Sequence, residues 1–84
     1  MHVFTRSGLR INYEASGPPE APVVLCLHSL ATDLHVWDAQ VAALEQQYRV
    51  VRPDLRGHGA TSSTAPPYTL ELLRHDATEL LDAL

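Results

Sequence analysis

Val23-Val24-Leu25-Cys26-Leu27 is the stretch on which the fold turns. It is apolar at every position, not at alternate ones, a pattern that suits a parallel strand covered on both faces. It is also far shorter than the roughly 20 apolar residues a membrane span requires. Downstream, the segment from about Asp33 to Gln47 reads as a helix, with Trp37, Val41, Leu44 and Tyr48 on one stripe. Asp33 is suited to cap its start. Tyr48-Arg49-Val50-Val51-Arg52 then reads as a second short strand, stopped by Pro53. Strand, helix and strand fit the roughly 30 residues of a βαβ unit, whose crossover is expected to be right-handed.

Outward from this unit, the upstream residues predict a hairpin. Val3, Phe4 and Thr5 suit a strand, Arg10 to Ala15 alternates with Ile11, Tyr13 and Ala15 on one face, and Ser7-Gly8 supplies the turn. Gly17-Pro18-Pro19-Glu20-Ala21-Pro22 then interrupts regular structure, because each proline lacks a backbone donor and restrains its neighbour. On the other side, a loop rich in Gly, Ser, Thr and Pro leads to a last helix over about 69–84. Thr69 is its expected N-cap, with Glu71 near the positive end of the dipole and Tyr68 packing against Leu73 as a staple. Leu70, Leu73, Ala77, Leu80, Leu81 and Leu84 form its expected buried stripe. Ser62, Ser63 and Thr64, with no base beside them, read as linker residues. The expected fold class is thus α/β: a β-hairpin, a βαβ unit and a further helix, giving a mixed, mostly parallel sheet in one domain over residues 1–84.

Composition narrows the function classes. The chain has 84 residues and a net charge of −4, with no lysine and six scattered arginines, so no basic stripe points to nucleic acid. Met1 to Arg6 lacks the basic-then-apolar order of a secretory leader. With no membrane segment either, a cytoplasmic protein is expected. Cys26 is the single cysteine, which excludes an intrachain disulfide, and its apolar surroundings suit an inert core thiol. The five histidines show no metal-ligand spacing and no glycine loop suits a phosphate, so neither metal nor cofactor is expected.

Two loops leave the C-terminal ends of the two parallel strands, the edge at which ligands bind in open α/β sheets. The first is His28-Ser29-Leu30-Ala31-Thr32-Asp33 and the second is Asp54-Leu55-Arg56-Gly57-His58-Gly59. An apolar strand ending in His plus a small residue, then a Trp-bearing helix, a strand and D-x-R-G-H-G, resembles the N-terminal part of α/β-hydrolases. Ser29-Leu30-Ala31-Thr32-Asp33-Leu34-His35-Val36-Trp37-Asp38 is most similar to the corresponding stretch of 3-oxoadipate enol-lactonases, although Ala31 replaces their typical glycine and Ser29 stands where many α/β-hydrolases have one.

The resemblance implies an oxyanion hole to which the first loop contributes the backbone N–H of Leu30, supported by His28 and Ser29. It assigns His28 a structural role, since the family's catalytic histidine comes late in the full enzyme. Asp54, Arg56, Gly57, His58 and Gly59 make sense as a scaffold: Asp bonds back onto turn amides, the glycines permit tight turns, and Arg offers fixed donors to loop carbonyls. The alternative for Arg56 is a substrate carboxylate. Trp37 falls on the buried stripe, and the resemblance adds a possible substrate contact. The implied activity is serine-dependent hydrolysis of a lactone or carboxylic ester, a small-molecule substrate, without a cofactor. Other esterases, cofactor-free haloperoxidase-like members and non-catalytic binding proteins of the same fold are the alternatives. The nucleophile of this family stands in G-x-S-x-G, a motif these residues do not contain. The chain is therefore expected to be an incomplete α/β-hydrolase domain, truncated before the nucleophile strand, with no catalytic residue of its own and inactive alone.

Overall fold

The computed structural model describes residues 1–29, 31–64 and 68–84. Strand β1 (His2–Phe4) pairs antiparallel with β2 (Arg10–Ser16), as the alternating pattern on either side of Ser7-Gly8 predicts. Strand β3 (Val23–Leu25) lies parallel to β4 (Arg49–Pro53), with Val24 opposite Val50, and β2 pairs antiparallel with β4. The sheet order is β1-β2-β4-β3. The sheet is mixed, but among the described residues two of its three pairings are antiparallel, because the hairpin supplies half of the strands.

Side chains alternate across a strand, so the neighbours Val50 and Val51 face opposite sides of the sheet. Val50 packs with Cys26 and Val41, and with the half-buried Val24, Trp37 and Leu44. Val51 joins Leu9, Ile11 and Leu80. One helix covers each face: α1 (Asp38–Leu44) lies over the first cluster and α2 (Leu70–Ala83) over the second. Enclosing Val50 or Leu80, both 0% exposed, contributes about 1.5–3 kcal/mol each. Burial also pushes the Cys26 thiol above its ordinary pKa, against the lowering influence of Arg52, which keeps it protonated and inert.

Several expectations change in physical detail. The run Val23 to Leu27 is not covered on both faces along its length: Val23 is 55% and Leu27 42% exposed, because β3 is one of the two edge strands and regular pairing ends at Leu25. The segment expected as one helix divides into a 3-10 turn (Leu34–Trp37) and the short α1. The tighter turn holds three residues, not 3.6, and α1 ends at Leu44, so the stripe of Trp37, Val41 and Leu44 does not extend to Tyr48, which is exposed. Asp33 does cap the segment, accepting from the His35 amide at 2.9 Å. Pro53 closes β4 from within, opposite Tyr13.

Helix α2 begins at the expected cap, with Thr69 Oγ1 accepting from the Leu72 amide at 3.1 Å. Its buried residues are Asp76 and Leu80; Leu70, Leu81 and Leu84 are exposed. The helix rests on the sheet along the Asp76–Leu80 line, rotating the expected leucine stripe partly out toward an open groove. Of the expected linker residues, Ser62 and Thr64 are bonded into their surroundings. The Ser62 amide donates to Arg10 O and its carbonyl accepts from Gly57, while Thr64 brackets the Tyr68 hydroxyl through its amide and carbonyl. No described helix is long and apolar enough to cross a membrane.

Candidate active-site loops

The parallel pairing of β3 and β4 brings the two loops side by side at their C-terminal ends. Asp54, the first residue after β4, is 4% exposed and holds the arrangement together. Its Oδ1 accepts from the Leu34 amide at 2.8 Å, and its Oδ2 accepts from Asn12 Nδ2 at 2.9 Å and the Ala60 amide at 3.0 Å. Thr61 Oγ1 donates to its carbonyl at 2.7 Å. One carboxylate thus joins β2, the start of the 3-10 turn and the far side of its own loop. Burial alone would raise its pKa, but the Ala60 amide, the Asn12 side chain and the Leu34 amide outweigh that and hold it below the usual carboxylate value.

Gly59 shows why glycine stands there. Its φ is +49°, and a Cβ on it would lie 2.2 Å from the Asp54 carboxylate. Any side chain would displace the group that organises the loop. At Gly57, with φ +78°, a Cβ would lie 2.6 Å from the Tyr68 ring.

The two histidines stitch the loops to each other. His28 is 4% exposed, and its Nε2 lies 2.9 Å from the Leu55 amide nitrogen. An amide N–H only donates, so this ring nitrogen is the acceptor and the proton sits on Nδ1, where it is given to Ser29 O at 2.8 Å. The Ser29 carbonyl also accepts from Thr32 Oγ1 at 2.6 Å, which draws the first loop into a turn. His58 repeats the scheme from the other side. Its Nδ1 lies 3.0 Å from Arg56 O, and its Nε2 accepts from the Ala31 amide at 3.3 Å. The two rings lie 5.1 Å apart. Ala31 has a φ of +65°, a left-handed conformation that costs a residue with a side chain about 1–2 kcal/mol. Leu30, the residue whose N–H the resemblance assigns to the oxyanion hole, lies outside the described residues.

Arg56 is engaged through all three of its nitrogens. Its Nε and Nη2 donate to the two oxygens of Asp76 at 2.9 and 2.7 Å, and Nη1 reaches Thr64 Oγ1 at 3.2 Å. The Asp76 side chain is 7% exposed and that of Arg56 13%. The paired carboxylate raises the Arg56 pKa further, against the cost of burial. Asp76 occupies the fork formed by Nε and Nη2, which is therefore not open to a substrate carboxylate. Sequence patterning missed Asp76, although an acidic residue three places after Leu73 and four before Leu80 on an apolar face is the signal that a partner waits there.

Trp37 lies in the α1-side core and also borders a recess with Leu27, His28, Ser29, Val36 and Gln40. Its indole nitrogen is buried without a hydrogen-bond partner among the described residues. A larger apolar groove of about 980 Å³ opens beside Ser29, between β3 and α2, with Leu25, Leu27, Leu73, Ala77 and Leu81 along its walls. Away from the loops, His75, Asp76 and Glu79 gather within 4.8 Å on α2. Arg56 occupies Asp76, and Ser7 donates to both Glu79 oxygens from its amide and hydroxyl, so this cluster is a set of packing contacts.

Comparison with known proteins matches this geometry. Residues 22–84 match the family described as the alpha/beta hydrolase fold. The chain is 43% identical over 82 residues to 3-oxoadipate enol-lactonase 1 of Acinetobacter baylyi, covering 98% of this chain and 30% of that protein. It is 36% identical over 88 residues to epoxide hydrolase 4 of Mus musculus, covering 99% of this chain and 24% of that one. Among solved structures, the enol-lactonase of Burkholderia xenovorans LB400 superposes with a TM-score of 0.89 at 38% identity, covering 99% of this chain and 32% of that chain. The chain spans less than a third of the length of each of these relatives.

Proposed function

This chain belongs to the α/β-hydrolase fold family, and from that premise we propose that it supplies the oxyanion-binding side of an acyl-transfer site that hydrolyses an enol-lactone. In this reading the Leu30 N–H serves as a donor to the carbonyl oxygen as it becomes an alkoxide, joined by a second donor beside a serine nucleophile outside these residues. That serine, with the histidine and acid that activate it, attacks the lactone carbonyl, opens the ring and releases the acid after water cleaves the acyl-enzyme. Trp37, which borders the recess beside Ser29, contacts the substrate in this reading. Metal and cofactor have no part in this chemistry, and the protein acts in the cytoplasm on a small molecule.

The observation that carries the reading is the loop flanking Leu30. Ser29 and Ala31 are each held by a histidine from opposite sides of the two-loop junction. A donor worth several kcal/mol to a transition state must be pre-positioned, and the bonds to the residues on either side of Leu30 support that reading. The kinship to enol-lactonases over 98% of the chain supports the substrate class. The similarity to an epoxide hydrolase favours a second reading, in which the nucleophile opens an epoxide and the same loop serves a different acceptor.

The test has two stages. The reading frame beyond Leu84 is translated and searched for G-x-S-x-G. The full-length product is then assayed on an enol-lactone, an aryl ester and an epoxide. Turnover of the lactone at least tenfold faster than the others supports the proposal. Aspartate in place of serine together with epoxide turnover favours the second reading, and no turnover at all favours a binding protein on this fold.

A further inference from the structure

We propose that His58 is a positioning residue for the hydrolytic site, holding the first loop in its left-handed conformation through the Ala31 amide. The proposal rests on the oxyanion reading of that loop. Four observations lead to it. Ala31 sits at φ +65° without the freedom of glycine, so something beyond its own backbone preference must hold it there. Its amide is held by His58 Nε2 at 3.3 Å. The ring is itself oriented, since its Nδ1–H donates to the Arg56 carbonyl at 3.0 Å. Arg56 in turn is anchored to α2 through both oxygens of Asp76. A chain of bonds thus runs from a buried ion pair, through one imidazole, to the residue after Leu30.

His28 cannot substitute for this contact. Its Nε2 is committed to Leu55 and its Nδ1 to Ser29, on the near side of the turn. His58 approaches from the far side. Losing its acceptor leaves Ala31 to relax from its left-handed conformation, which loosens the loop on which the oxyanion reading rests. A loosened donor is felt in the transition state and not in substrate binding, so the loss falls on kcat.

The experiment uses three variants of the full-length protein. H58A removes both bonds. H58N retains a donor to the Arg56 carbonyl but is too short to reach Ala31. H58Q places an amide oxygen near the position of Nε2 and restores the acceptor. On the lactone or ester that the wild type turns over, H58A and H58N lower kcat about tenfold or more with KM unchanged, and H58Q recovers most of it. Equal thermal midpoints for H58N and H58Q separate positioning from folding. Wild-type kcat in all three, a loss confined to KM, or a glutamine variant no better than the asparagine one overturns the role of His58 while leaving the oxyanion reading in place. A wild type inert on lactones and esters overturns both.

Discussion

Asp54 stands in the way of acid. Its lowered pKa means the folded state prefers the carboxylate more strongly than the unfolded chain does. The resulting stability is present in full above the unfolded aspartate value of about 3.9 and is lost as pH falls through the lower folded one. Asp54→Asn replaces an acceptor-only group by one whose amide faces the donors of Leu34, Asn12 and Ala60. At neutral pH it is expected to cost about 1–3 kcal/mol. The difference from wild type should shrink as pH drops through the folded pKa, because protonated Asp54 loses the same interactions. Urea titrations at pH 7, 4 and 3 measure it, and a difference independent of pH would remove Asp54 from the linkage. The sequence made part of this legible. The D-x-R-G-H-G spacing announced a carboxylate bonded back to its own turn, and the Ala60 contact is that bond. The Asn12 and Leu34 contacts span 42 and 20 residues of chain, distances at which local spacing carries no signal.

At the level of elements, α2 is fastened by one ion pair as much as by its leucines. Arg56 and Asp76 are both nearly excluded from water and joined through two parallel bonds. Removing either member alone leaves a buried charge without its partner, so Arg56→Met or Asp76→Leu should each cost about 3–5 kcal/mol. Combining them should cost much less than the sum, since the apolar pair needs no solvation. Chemical denaturation of the four proteins in a double-mutant cycle measures the coupling, and simple additivity would show that the pair contributes nothing jointly. This bond also explains where periodicity failed. Leucine spacing on α2 describes a stripe, but Asp76 must face Arg56, and that turns Leu70, Leu81 and Leu84 outward. The hairpin was more legible, because alternation in Arg10 to Ala15 has few other solutions, whereas continuous apolarity in Val23 to Leu27 located β3 but not the exposure of Val23 and Leu27. The 3-10 turn at Leu34–Trp37 was not legible, since its first amide is held by Asp54 from 20 residues away, a tertiary contact that local spacing does not carry.

Across the molecule, the outer edge of β3 governs how the chain behaves in isolation. The order β1-β2-β4-β3 leaves one side of β3 without a strand partner among the described residues. The apolar Val23 and Leu27 stand exposed along it, and the groove toward α2 adds Leu73, Ala77 and Leu81. Unpaired backbone groups beside exposed apolar side chains form a template for another strand. A chain of 84 residues also has few enclosed side chains to resist opening; Leu34, Val50 and Leu80 are the largest. The 84 residues expressed alone should therefore self-associate or remain partly unfolded at micromolar concentration. Light scattering coupled to size exclusion measures this directly. Replacing Val23 and Leu27 by lysine should shift the distribution toward monomer, because charge on an edge strand opposes pairing. A wild-type monomer with a single cooperative thermal transition would mean that the hairpin and two helices stabilise the sheet without a neighbour for β3. The edge would then be a surface the fold tolerates and not one it must cover.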